Sequence, residues 1–396
     1  MAALASFPQS WRRISLFIGL IFVVLLVAGG LYHGFIPQPS SFYKPKVVFY
    51  EPSQLSGPHG GHGGACTLPA LENVASIIRT LWAPLVLPIT APQFTTAGGK
   101  VRKLPPPEKL VQREPMGSRI LILDIDNRDF NEEGGIFSKD VPTWDHLASQ
   151  SAGFLSHYLY ASIHGYSYKF LRVPKYKDRA PHWSKVIFTK EMLKQYDIVV
   201  TLDYDVMFPN PHVPIEWLLN YWEIGPEVLV AMAEDPKGEP NFDIRRRVNV
   251  NTGFIISRAG NLTQRLYEDW AECPSEKRYK GCGQWKNKAF HEQSAFSSYV
   301  RYDFLDGYSI DTHPQYIRHL SCEDANGSPK VAGCGCTGEL VRHYWGHKHL
   351  TNSIFAENIM GAMTPLLAQN AYRRPGAVID WRDKVLDGAQ VLDRNQ

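Results

Sequence analysis

The run Ile198-Val199-Val200-Thr201-Leu202 is apolar on both faces that a strand presents, and it leads directly into Asp203-Tyr204-Asp205 and Met207-Phe208-Pro209-Asn210. A strand with no polar face belongs in the middle of a sheet covered by helices on both sides, so this run sets the architecture. The chain from Arg119 onward agrees, with short apolar runs alternating with amphipathic stretches. Ile120 to Leu123 reads as a first buried strand. Leu147, Phe154, Leu155, Tyr158, Leu159 and Ile163 recur at helical spacing, and Gly165 is placed to end that helix. Tyr168 to Val173 suits the next strand and Ser184 to Lys194 a helix. Val228 to Met232 and Phe254 to Ser257 suit strands, and Leu262 to Ala271 and Glu292 to Val300 suit helices. The pattern predicts an α/β fold: a mostly parallel central sheet flanked by helices, with ligands at the carboxyl ends of the strands. Past Thr351 the signals weaken, and either a peripheral helix or a loose tail fits.

Upstream, Ile14 to Tyr32 is an uncharged stretch long enough to cross a hydrocarbon core, which takes about 20 residues. Arg12 and Arg13 precede it and no basic cluster follows until Lys44, which predicts a single-pass type II anchor with the N-terminus cytosolic. A cleaved signal peptide fits less well, because its apolar region is usually about 7 to 15 residues. The expected organisation is a cytosolic tail at 1–13, an anchor at 14–32, a stem at 33–115, a catalytic domain at 116–350 and an extension at 351–396. Proline and glycine, as in Gly57-Pro58-His59-Gly60-Gly61-His62-Gly63-Gly64 and Leu104-Pro105-Pro106-Pro107, give the stem its spacer character, and His59 and His62 read as part of that spacer.

A lumenal domain lies where cysteines pair, and Cys66, Cys273, Cys282, Cys322, Cys334 and Cys336 predict disulfides of open connectivity. Asn261-Leu262-Thr263 and Asn326-Gly327-Ser328 are glycosylation sequons. A net charge of +3 without a basic block leaves no case for nucleic acid as a partner.

Chemistry concentrates at the end of the 198–202 run. Asp203 and Asp205, two apart, project to one side if strand geometry persists, and hard carboxylate oxygens at a strand end suit Mn²⁺ or Mg²⁺ bridging a diphosphate. The alternative is a solvated turn. Asp124-Ile125-Asp126 ends the first strand, where base or ribose contacts are usual, so Asp126 is a candidate donor contact. Lys185 faces either the donor or solvent at a helix start, and Glu292 is either a catalytic carboxylate or a residue that favours a helix N-terminus. Trp183, Trp217, Trp222 and Trp345 read as core or wall residues, with one available as a sugar platform.

Several segments in the same order resemble glycosyltransferase family 34: Tyr160-Ala161 to His164-Gly165-Tyr166, His182-Trp183-Ser184-Lys185, Leu202 to Asp205, Asn251-Thr252-Gly253-Phe254, Tyr267-Glu268-Asp269-Trp270-Ala271, Glu292-Gln293-Ser294-Ala295, and His343-Tyr344-Trp345-Gly346 with Lys348. They span about residues 150 to 350. The resemblance implies a GT-A fold, a nucleotide-sugar donor, Mn²⁺ and transfer with retention. On it, Asp203, Asp205 and His343 hold the metal, Lys348 sits by the donor phosphates, Asn251 and Gly253 line the sugar pocket, and Gln293 lies by the anomeric centre. The sequence departs from the family at Tyr204 between the aspartates, at His291-Glu292 before Gln293, at His347 in place of a cysteine, and in the inserted stretch 236–248 with Arg245-Arg246-Arg247.

The function expected from all this is a metal-dependent retaining glycosyltransferase of the Golgi membrane, moving a sugar such as galactose or mannose to a glycan acceptor. The endoplasmic reticulum is the alternative compartment. The rival readings are an inverting GT-A enzyme with Asp235 or Glu292 as general base, a non-catalytic subunit of a membrane complex, and a lumenal carbohydrate-binding module. Whether the chain forms a homo- or hetero-oligomer is left open.

Overall fold

The computed structural model describes residues 74–304, 316–328, 335–369 and 371. The anchor expected at 14–32, His59, His62, Cys66 and Cys334 lie outside the described residues. Within them, no helix is long and apolar enough to cross a membrane.

The elements begin with α1 (Val74–Trp82), the hairpin strands β1 (Gln93–Thr95) and β2 (Val101–Lys103), β3 (Ile120–Asp126), α2 (Ser149–His164), β4 (Ser167–Arg172) and α3 (Ser184–Met192). There follow β5 (Ile198–Leu202), β6 (Val206–Met207), α4 (Ile215–Tyr221), β7 (Val230–Glu234), β8 (Val250–Arg258), α5 (Asn261–Glu272) and α6 (His291–Ser298). Then come β9 (Ile317–Leu320), α7 (Cys322–Ala325), β10 (Arg342–His343) and α8 (Thr351–Ala368).

Six strands form the central sheet in the order β4-β3-β5-β8-β7-β9. β3 runs parallel to β4 and β5, and β7 runs parallel to β9. β8 is antiparallel to both of its neighbours. Five of the six strands therefore share one direction and β8 alone runs against them, so the sheet is mostly parallel, as the sequence suggested, with one reversed strand that apolar patterning, which carries no information on direction, did not signal.

Burial follows the two-fold alternation of a pleated strand. Ile120 and Ile122 point into one core layer with Val200, Trp217 and Phe254, while Leu121 and Leu123 point into the other with Val186, Trp270 and Phe296. Each such buried aliphatic side chain stabilises the fold by about 1.5 to 3 kcal/mol. Helix α2 ends at Gly165, whose φ of 72° is the left-handed conformation that lets its N–H return to Ala161 O. The face α2 buries includes Phe154, Tyr160 and Ile163, whereas Tyr158, assigned to that stripe by spacing, is exposed.

The stretch 33–115 is not a stem to its end. From Val74 it belongs to the folded unit, because Trp82 packs with Ile163 and Ala362 and Phe94 meets Trp217 edge-on at 4.9 Å. The Trp217 indole N–H donates to Ala91 O at 2.9 Å, and the Asn220 side chain both accepts from Gln112 N and donates to Gln112 O, each at 2.7 Å. The weak signals after Thr351 prove to be α8, which packs on α2.

Two disulfides are present among the described residues. Cys273–Cys282 links the end of α5 to the following turn, and Cys322–Cys336 closes the loop that leads to His343.

Candidate functional site

β5 stops at Leu202, so Asp203-Tyr204-Asp205 is a turn rather than the extended strand the spacing suggested. The turn is held by Asp203 N–H to Gly253 O at 2.8 Å and Val206 N–H to Asp203 O at 2.9 Å. β6 leaves this turn and pairs with β10, which sets His343 opposite Val206, and Tyr344 N–H donates to Asp205 O at 2.8 Å. Ligand atoms of Asp203, Asp205 and His343 thereby lie within 4.8 Å of one another.

The His343 tautomer follows from its neighbours. Asn251 Oδ1 accepts from Gly253 N–H at 2.8 Å and its Nδ2 donates to Asp235 Oδ1 at 2.9 Å, so the amide direction is fixed. His343 Nδ1 lies 3.0 Å from that same Oδ1 and must carry the proton. Nε2 then faces Asp205 Oδ1 at 3.5 Å and is the ring nitrogen placed to ligate a cation. Asp205 is 1 % exposed, and its Oδ2 has no well-directed hydrogen bond, although Lys348 Nζ stands 3.2 Å away. Convergent lone pairs and an orphaned buried carboxylate oxygen are what a divalent cation requires, and this oxygen-rich set with one imidazole fits Mn²⁺ or Mg²⁺. Burial opposes ionisation of Asp205, but His343, when it also carries a proton on Nε2, and Lys348 outweigh it and hold the carboxyl well below its usual range.

Lys185 is buried, with Nζ 2.9 Å from Asp203 Oδ1, 3.3 Å from Glu292 Oε1 and 3.1 Å from Thr252 O. It is therefore no solvated helix-start lysine. Burial pulls its pKa down, yet Asp203 and Glu292 prevail and raise it. Glu292 Oε1 also accepts from Thr252 Oγ1 at 2.9 Å, while its buried Oε2 has no partner. His182, His291 and Glu292 form a second group with ligand atoms within 4.8 Å.

Gln293 accepts from Thr252 N–H at 3.1 Å and donates to Asp235 Oδ2 at 2.7 Å. An amide oxygen has two lone pairs, so these bonds orient the group without exhausting it. Asp235 carries more of the network than the sequence indicated. Besides Gln293 and Asn251 it accepts from Asn326 Nδ2 at 3.2 Å, and burial raises its pKa against these donors. A register shift in β8 opposite β7 makes this convergence possible. Met232 pairs with Ile255 and Ala233 with Asn251, which leaves Thr252, Gly253 and Phe254 without β7 partners, and Gly253 O accepts from Asp203 N–H instead.

Two cavities meet at this cluster. The smaller, about 320 Å³, is lined by Asp126, Arg128, Tyr204 and Phe154. The larger, about 700 Å³, is lined by Asp235, Asn251, Gln293, His343 and the 236–241 segment. His182, Lys185, Asp203 and Lys348 line both. Asp126 thus lines the cleft, although Arg128 holds its carboxylate at 2.6 Å and lies over the Tyr204 ring at 5.0 Å. Asp124 does not reach the cleft; it is buried against His157 and the Tyr168 hydroxyl, each at 2.8 Å.

Sequence reasoning missed Thr252, Asn326, Arg128 and Tyr204 as participants and held Asp235 only as a rival base. Asn326 was legible only as a sequon, and nothing in its neighbourhood signals a bond to Asp235.

No protein-family model and no curated protein matches the chain. Among solved structures, a glycosyltransferase involved in the glycosylation of the major capsid of PBCV-1 is 16% identical with a TM-score of 0.41, the match covering 60% of this chain and 98% of that one. A galactosyltransferase, LgtC, in complex with donor and acceptor sugar analogs is 10% identical with a TM-score of 0.34, covering 60% of this chain and 95% of that one. Likenesses this distant leave the functional argument to the geometry of the site.

Proposed function

We propose that this chain is a metal-dependent glycosyltransferase that takes a sugar from a nucleotide-sugar donor and attaches it to a glycan. One observation carries the reading: the Asp203, Asp205 and His343 cluster sits at the seam of two cavities that share His182, Lys185, Asp203 and Lys348. A nucleotide-sugar is itself bipartite, with a nucleoside and a sugar joined by a diphosphate, and the seam is where its charge belongs.

Asp203, Asp205 and His343 would hold Mn²⁺ or Mg²⁺, which supplies Lewis-acid neutralisation of the departing diphosphate. Lys348 adds a positive charge on the same oxygens. Lys185 serves by fixing Asp203 and Glu292 from behind, and Asn251 by fixing the His343 ring. Asp126 and Arg128 line the nucleoside side, and Gln293 and Gly253 the sugar side.

Retention of configuration, a GT-A fold and membership of glycosyltransferase family 34 rest on the motif order in the sequence, and a type II anchor in the Golgi membrane rests on the run at 14–32. Asp235, the candidate base of an inverting mechanism, takes two of its three amide bonds on Oδ1 and one on Oδ2, so a lone pair remains on Oδ2 and an inverted product is the outcome that would favour that mechanism.

The test is release of nucleotide from a panel of UDP- and GDP-sugars with Mn²⁺ or with chelator. One donor should be hydrolysed only with metal, and Asp205→Asn should lower the rate on the order of 10² to 10³-fold. Release insensitive to chelator and to that substitution would remove the metal from the mechanism. A folded protein that neither cleaves nor binds any donor would remove the transferase.

A further inference from the structure

We propose that Phe290 and Trp345 form a stacking platform for a sugar ring of the acceptor at the mouth of the larger cavity, an inference that rests on the transferase reading. Both residues line the cavity of about 700 Å³ that contains Asp203, Asn251 and Gln293. Each is 39% exposed, and they come to this one opening from segments more than 50 positions apart in the sequence. Single exposed apolar side chains are ordinary on a protein surface; two large aromatics lining one polar cavity give it two faces on which a sugar ring can stack.

The backbone holds both rings outward. Phe290 precedes α6 at φ 68°, and His291 follows at φ 34°, so two bulky residues in succession occupy the left-handed region. Bulky residues rarely adopt it, and such positions concentrate at binding sites. Trp345 follows Tyr344, which is buried with Met207 and Ile354, and the turn is closed by His347 N–H to Tyr344 O at 3.0 Å. Anchoring Tyr344 inward sends the next residue out to the rim, two positions from His343.

The cavity is amphipathic in a way that fits a pyranose. Its rim carries the two aromatic rings, while Asp235, Lys237, Glu239 and Asn241 line its polar side. A pyranose has an apolar C–H face, which packs on an aromatic ring, and hydroxyls around its edge, which such polar groups receive. The donor's diphosphate belongs at the seam, so the open rim is the end an acceptor reaches.

The test uses the full-length protein in detergent. Nucleotide release without acceptor is measured beside transfer to methyl pyranosides and disaccharides of galactose, mannose and glucose. Phe290→Ala and Trp345→Ala should each raise the acceptor KM ten-fold or more while donor hydrolysis stays within two-fold, and Trp345→Phe should restore most of the loss. An unchanged acceptor KM in both alanine variants, or hydrolysis falling in step with transfer, overturns the platform. Saturation-transfer NMR with the same saccharides separates this proposal from the reading it rests on. Saccharide binding that is lost in Trp345→Ala, in a protein that cleaves no donor, upholds the platform and sinks the transferase. Absence of both binding and cleavage sinks both.

Discussion

A Cβ placed on Gly253 would lie 2.2 Å from His343 Cε1 and 2.8 Å from Nε2, well inside van der Waals contact. The glycine is thus the floor on which the imidazole rests. Gly253 O also receives Asp203 N–H, and β8 is paired to β5 on that side, so the backbone has no room to withdraw. Gly253→Ala is expected to displace His343 and weaken Mn²⁺ binding ten-fold or more, with an unchanged circular dichroism spectrum. Calorimetric titration of Mn²⁺ checks it, and wild-type affinity in the variant would show that His343 is no ligand.

The packing of residues 74–115 sets where the protein can be shortened. A chain starting at Val74 keeps Phe94 against Trp217 and the Gln112 bonds to Asn220, whereas one starting at 116 loses both and exposes Trp217 and Ile163. An aromatic buries roughly 150 to 250 Å², and a domain is stable by only about 5 to 15 kcal/mol. The 74–396 fragment should be soluble and melt cooperatively; the 116–396 fragment should aggregate or melt at least ~10 °C lower. Equal melting temperatures would mean that the 74–115 segment contributes nothing to the fold.

How the sequence divided into what was legible and what was not follows from the range of the signals. The strand Ile198–Leu202 and the Gly165 cap were legible because burial on both faces and a helix stop are written within a few residues. The acidic turn was visible for the same reason. The reversal of β8, the docking of the 74–115 segment and the junction of Asp235 with Asn326 depend on pairings between distant segments, which no local period encodes. His343 is intermediate: only motif order singled it out, and pairing of β10 with β6 is what delivers it to Asp205. Trp345 illustrates the limit from the other side, since composition placed it among core or wall residues and only the exposure of its ring shows it on the rim.

The two sequons differ in kind. Asn261 is exposed at the start of α5. Asn326 is 1% exposed, and its amide donates to Glu234 O at 3.1 Å and to Asp235 Oδ1. A glycan there would displace both bonds beside the larger cavity. In a secretory host the folded enzyme should carry a glycan at Asn261 alone, so Asn261→Gln should abolish the endoglycosidase-sensitive shift in gel mobility. Ser328→Ala, which removes the second sequon and leaves Asn326 in place, should not alter it. A mobility change in Ser328→Ala would contradict the buried position.

His164 gives the fold a pH dependence whose sign can be worked out. Burial presses its pKa from 6.5 down to about 4, and the nearby His212 adds to this, against the opposing effect of the Pro211 carbonyl that accepts from Nε2 at 2.8 Å. The ring is packed against Tyr160 and Tyr166, and no carboxylate among the described residues raises its pKa. In the unfolded chain the group takes a proton near pH 6.5, while in the native state it stays neutral until about pH 4. The unfolded state therefore binds more protons across that window, and stability falls as pH falls from 6.5 to 4, by on the order of 1 to 3 kcal/mol. Below pH 4 the contribution is spent. His164→Gln keeps a donor for Pro211 O and removes the titration, so urea unfolding of the variant should show a shallower loss of stability between pH 6.5 and 4 than the wild type. Parallel curves for the two proteins would mean that His164 accepts its proton in the native state as readily as in the unfolded chain.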